Sequence, residues 1–77
     1  MMSRRKNRPT VKQIELANRL RAKRLERGLS LQEVADKVGI SKVTLQRYET
    51  LDIVNIPSNN IEKLAEIYLT TPGYLMG

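Results

Sequence analysis

Helix-start and helix-stop residues follow one another so closely between Thr10 and Thr50 that this stretch has room only for short, separated helices. Thr10 with Gln13, and Ser30 with Glu33, are spaced as capping boxes. In such a box the hydroxyl and the side chain three places on each satisfy the other residue's backbone N–H. Ser41 offers a third cap. Gly28 and Gly39 directly follow the first two helical stretches and supply residues that tolerate positive φ, where helices end. The spacing predicts a first helix over about 11–27, a second over 31–38 and a third over 42–50. Ile14, Ala17 and Leu20, widened by Leu16, form the expected inward stripe of the first helix.

Residues 51–57, LDIVNIP, break the helical period and read as a loop, with Ile56 turned toward the core. Pro57 stops any helix arriving from before it. Ser58 or Asn59 is the expected cap of a fourth helix, and Asn59 with Glu62 makes another possible box. Ile61, Leu64, Ala65 and Tyr68 are its apolar stripe. Thr71-Pro72 reads as a cap followed by a first-turn proline, opening a short fifth helix that carries Tyr74 and Leu75. No segment alternates with period two. The expected fold is therefore all-α, a compact five-helix bundle, with no sheet. Residues 1–9 are polar, basic and aperiodic, and are expected to form a flexible arm ahead of a folded domain over 10–77.

Composition narrows the function. The 77 residues contain no cysteine and no histidine. That removes thiolate chemistry, the usual general base and the commonest metal ligand, so neither an enzyme nor a metal site is expected. Apolar runs are too short to span a membrane, and no apolar stretch follows the basic N-terminus as a secretory signal would need. A cytoplasmic protein without cofactor or small-molecule ligand is the expectation. The net charge of +6 is uneven: residues 1–27 hold ten Lys/Arg against Glu15 and Glu26, while residues 28–77 hold four against six Asp/Glu. A basic segment of this kind suits a polyanion such as nucleic acid, and equally suits a solvated helix face.

The second and third helices carry the more specific signal. Ala35 is small where the two would cross, Gly39 opens the turn, and Ile40 and Leu45 fill the space between them. Val34, Val38 and Tyr48 anchor the pair to the rest. This pattern predicts a helix-turn-helix that leaves one face of the third helix exposed, with Lys42, Val43, Gln46 and Arg47 on it.

The stretch GLSLQEVADKVGISKVTLQRYE resembles the helix-turn-helix domain of the lambda- and 434-type phage repressors and their bacterial relatives. NIPSNNIEKLAEIY and GYLMG resemble the fourth and fifth helices of such repressors, so the likeness covers about residues 11–76. It implies binding of double-stranded DNA, usually a palindromic operator, by a homodimer. It also implies that the third helix enters the major groove, where all four base pairs are distinguishable. Ser41, Lys42, Val43, Thr44 and Arg47 occupy the matching base-reading positions. For Lys42 and Arg47 the alternative is simple solvated charge; for Val43 it is partial burial.

By the same resemblance, the second helix points its N-terminus at a phosphate. Many relatives have glutamine at its first position; this chain has Leu31, followed by Gln32. Many also have Asn-Gly after the third helix, where this chain has Thr50-Leu51 and a longer loop. Arg24, Leu31, Gln32, Gln46, Asn55, Ser58 and Asn60 are the expected phosphate contacts. Arg24 and Glu49 match positions that form an ion pair between the first and third helices; unrelated surface charges are the alternative. Arg4, Arg5, Lys6 and Arg8 either wrap the DNA or form a plain disordered tail. The functional expectation is a transcriptional repressor of phage or prophage origin, whole or as an N-terminal domain. The alternatives are a stand-alone regulator such as an antitoxin or restriction-modification controller, dimerising through Tyr68, Tyr74, Leu75 and Met76, or a protein-interaction module on the same fold. RNA binding would want exposed aromatics for stacking, and the tyrosines mostly stand at core-facing spacings.

Overall fold

The computed structural model describes residues 8–77. These form five helices: α1 (Val11–Glu26), α2 (Leu31–Val38), α3 (Lys42–Thr50), α4 (Ser58–Ile67) and α5 (Pro72–Met76). No strand occurs among the described residues, and no helix there is long and apolar enough to cross a membrane. Arg4, Arg5 and Lys6 of the expected arm lie outside the described residues. Arg8 lies inside them and is exposed.

Local chemistry sets most of the boundaries. Both expected capping boxes form: Thr10 Oγ1 accepts from Gln13 N at 3.1 Å, and Ser30 Oγ accepts from Glu33 N at 3.1 Å. In return, Thr10 N donates to Gln13 Oε1 and Ser30 N to Glu33 Oε1. Helix α1 ends one residue earlier than expected, with Arg27 as its C-cap. Gly28 then takes φ +68, and Leu29 N donates back to Arg24 O, the closing bond of a Schellman turn. Gly39 takes φ +88, and a Cβ there would meet nothing within 4 Å. Glycine is needed at 39 for its backbone angle and not for space.

Helix α4 departs from expectation. Neither Ser58 nor Asn59 caps it. Ser58 is already helical, Pro57 is the N-cap, and no side chain caps the first turn. The proline ring holds φ at −56 with ψ at 141, so the Pro57 carbonyl itself opens the helix, accepting from Asn60 N and Ile61 N.

Leu16, Leu20, Val34, Ala35, Val38, Leu45, Tyr48, Ile61, Leu64, Ala65, Tyr68 and Leu75 form one buried cluster. Fully burying one such aliphatic side chain contributes about 1.5–3 kcal/mol. Ala35 is 0% exposed, so Ala35→Leu would cost about 1–3 kcal/mol in overpacking. One expectation about the core is corrected. Ile14 is exposed, because steps of three drift around a helix of 3.6 residues per turn. The buried line of α1 instead runs Leu16, Leu20, Arg24, in steps of four, with Ala17 beside it. Tyr74 also faces outward, whereas Tyr48 and Tyr68 are buried.

Helix α5 is fastened to α1 through Tyr74. The Arg19 guanidinium lies 5.3 Å from the ring centroid and the Lys23 ammonium 5.1 Å, both within cation–π range. Arg19 Nη1 also donates to Tyr74 O at 3.2 Å. Part of the positive charge concentrated in α1 therefore holds the fold together. Lys12, Arg21 and Arg27 are exposed.

Candidate nucleic-acid interface

Helix α3 is set by its cap and held by its neighbours. Ser41 Oγ accepts from Thr44 N at 3.0 Å and donates to Thr44 Oγ1 at 2.8 Å. Leu45 and Tyr48 are buried on one side. On the other side Lys42 and Gln46, and Val43 and Arg47, form two i,i+4 pairs on one exposed face. Val43 is 51% exposed, so its apolar side chain is presented outward and not tucked into the core. Among the described residues, neither Lys42 nor Arg47 has an acidic partner within salt-bridge distance.

Two polar ties fix this helix from behind. Arg24 Nε and Nη2 donate to Glu49 Oε2 and Oε1 at 2.8 and 3.0 Å, a bidentate pair joining α1 to α3. Arg24 Nη1 donates to Leu29 O at 3.0 Å, so the same guanidinium also holds the α1–α2 turn. The Glu49 side chain is 4% exposed and that of Arg24 is 11%. The hydrogen bond to Glu49 raises the Arg24 pKa, against the opposing effect of burial. The second tie is from Asn60 Nδ2, which donates to the Tyr48 hydroxyl at 3.1 Å and joins α4 to α3. This tie has no local sequence signal: its partners stand twelve positions apart, with a proline among the residues between them.

The remaining expected contacts fall at the rim. Leu31 is half-buried and packs against the core, which is why an apolar residue is accommodated at the first position of α2. The capping box occupies the amides of Ser30 and Glu33, and Val34 N returns to Ser30 O. The amides of Leu31 and Gln32 are first-turn donors that a helix leaves without intrahelical partners. The Gln32 side chain donates to Asp36 Oδ1 at 2.8 Å along the exposed side of α2. Gln46, Asn55 and Ser58 are exposed, and Asn60 is half-buried. Among the described residues, no cluster of three or more Asp and Glu is placed to hold a metal ion.

Two capped helices meet at a glycine turn, and the second presents a cationic and apolar face while its back is locked by an ion pair. These features define a helix-turn-helix domain. The chain belongs to the Helix-turn-helix family, whose model matches residues 20–75, the type found in lambda and 434 repressors and bacterial regulators. By that membership it is a DNA-binding transcription regulator. Comparison with curated proteins gives no significant match.

Proposed function

We propose that this regulator binds double-stranded DNA sequence-specifically, as a homodimeric repressor of the phage or prophage type on a palindromic operator. The exposed face of α3 carries the reading: Lys42, Val43 and Arg47 point outward from a helix whose other side is buried. Arg47 donates in a fork to guanine O6 and N7, Lys42 donates to a neighbouring acceptor, and Val43 packs on a thymine methyl. Ser41 and Thr44 flank these at the helix start. The free amides of Leu31 and Gln32 hold a phosphate at the start of α2, where the helix dipole favours an anion. Gln46, Asn55, Ser58 and the remaining N–H groups of Arg24 add backbone contacts. The basic residues Arg4, Arg5, Lys6 and Arg8 extend along the duplex. Such contacts orient the protein without reading sequence.

A stand-alone dimeric regulator is the second reading, favoured by the exposure of Tyr74 and Met76 on α5. The two predict different behaviour: the stand-alone form is a dimer by sedimentation without DNA, and the repressor domain dimerises on its operator.

A selection from random duplexes, followed by gel shifts at low and physiological salt, tests the main reading. Random DNA is expected to bind weakly and to dissociate as salt rises. The selected duplex is expected to remain bound. Absence of binding to any duplex at low salt would remove the proposal and favour a protein-interaction role.

A further inference from the structure

We infer that Asn60 is a positioning residue for the recognition helix, acting through Tyr48, and not one of its phosphate ligands. The inference rests on the proposed sequence-specific binding. Its basis is the 3.1 Å hydrogen bond from Asn60 Nδ2 to the Tyr48 hydroxyl, together with the burial of Tyr48 at 4% exposure.

Helix α3 packs mainly on α2 and α1, and α4 packs mainly on α2 and α5. The side of α3 toward α4 is thus the less supported one, and the Asn60–Tyr48 bond spans it. Tyr48 and Glu49 are consecutive, so their side chains leave the helix about 100° apart. Glu49 is held from α1 by Arg24. Tyr48 is held from α4 by Asn60. With one polar anchor, only the apolar packing of Leu45 and Tyr48 resists a small roll of this short helix about its axis. Two anchors at different azimuths stop the roll.

Roll matters for base reading. A turn of roughly 10° moves a side-chain tip about 6 Å from the axis by about 1 Å. Hydrogen bonds to base edges span only a few tenths of an ångström in length, so that displacement breaks them. Phosphate contacts made elsewhere on the domain would survive it. Breaking the Asn60–Tyr48 tie should therefore lower the ratio of specific to random affinity more than it lowers affinity for random DNA.

The test uses the full chain, a duplex selected by the wild-type protein and a random-sequence duplex, with Asn60→Ala, Tyr48→Phe, the double variant and Asn60→Asp. Tyr48→Phe keeps the buried ring and removes only the hydroxyl, so it carries the test if Asn60→Ala does not fold. The expected result is an approximately tenfold fall in the specific-to-random ratio for each single variant, comparable to the effect of one mismatched base pair. The double variant should fall no further, because both changes remove the same bond. Asn60→Asp should keep the ratio, since its carboxylate accepts the Tyr48 O–H proton. A phosphate ligand would behave differently. Asn60→Ala would weaken both duplexes equally, Tyr48→Phe would match the wild type, and the inference would be overturned. Unchanged ratios in both single variants would overturn it as well. If the wild-type protein selects no sequence at all, the functional reading falls and this inference with it.

Discussion

Arg24 and Glu49 meet end to end, with two nitrogens of the guanidinium donating to the two carboxylate oxygens at 2.8 and 3.0 Å, almost out of reach of solvent. A third donor of Arg24 closes the Leu29 carbonyl at 3.0 Å. The pair therefore joins α1, the α1–α2 turn and α3 in one unit. Removing one partner would leave the other charge buried and alone. Glu49→Ala should cost about 3 kcal/mol or more, seen as a lower urea midpoint. DNA affinity should fall with it, because α3 loses its anchor on α1. Arg24→Lys should also destabilise, since an ammonium cannot match the fork. Unchanged stability and affinity in Glu49→Ala would contradict the pairing.

Tyr68 is buried at 1% exposure, and its hydroxyl has no hydrogen-bond partner among the described residues. Burial, with the negative charge of Glu49, pushes its pKa well above the ordinary phenol value, while Arg24 pulls the other way. Folding thus holds this proton more tightly than the unfolded chain does. The stability it contributes is complete below about pH 10 and declines as pH rises through the window above it. Tyr68→Phe should gain about 1 kcal/mol at pH 7 by deleting an unsatisfied polar group. Above pH 10 the gap between variant and wild type should widen by about 1.4 kcal/mol per pH unit. Parallel pH–stability curves through that range would contradict this account.

Leu69 stands at φ +56 in the turn after α4, with Thr70 N donating to Ala65 O and Leu69 N to Glu66 O. This is a Schellman turn with leucine where glycine is usual. A left-handed conformation costs a side-chain-bearing residue about 1–2 kcal/mol, and glycine gives back part of that through its freer unfolded state. Leu69 is 70% exposed, so truncation sacrifices little burial. Leu69→Gly should raise stability by about 0.5–1 kcal/mol, a Tm increase of roughly 4 °C for a domain of this size. Leu51, at φ +73 but half-buried, should gain less from the same change. A lower Tm for Leu69→Gly would show that its side chain packs more than its exposure indicates.

The basic residues ahead of Thr10 are proposed to lie along the DNA backbone. Deleting residues 1–8 should flatten the dependence of log affinity on log salt by about 0.9 for each phosphate that the segment neutralises. The melting temperature should hold, because the α1 cap at Thr10 is retained. An unchanged slope would leave these residues without a role in binding.

What the residues alone make legible is what neighbouring residues determine. The bounds of α2 and α3 follow from Ser30 with Glu33, from Gly39 and from Ser41, each acting within a few residues of itself. The start of α4 differs from expectation because Pro57 supplies the opening carbonyl, and neither Ser58 nor Asn59 adds a side-chain cap. Ile14 falls off the buried line because a step of three looks periodic over two turns and then drifts. The outward ring of Tyr74 lies against two cations from α1, a contact that no local pattern reveals. The Arg24–Glu49 pair is accessible from sequence only through family likeness. The Asn60–Tyr48 bond, between helices joined by an irregular loop, has no signal in the sequence.

The central claim is that the exposed face of α3 reads bases, and Arg47 tests it most directly. Its side chain is exposed and unpaired with any acid among the described residues, so Arg47→Ala should leave the melting temperature nearly unchanged. Duplex selection should be run in parallel with the wild-type protein and with Arg47→Ala. The account predicts that the variant's motif loses its preference at one base pair of each half-site, a G·C in the wild-type motif. Affinity for the wild-type duplex should fall by about 1–3 kcal/mol. Recovery of an unchanged motif by the variant, with or without a uniform loss of affinity, would contradict the claim that α3 reads the sequence through this residue.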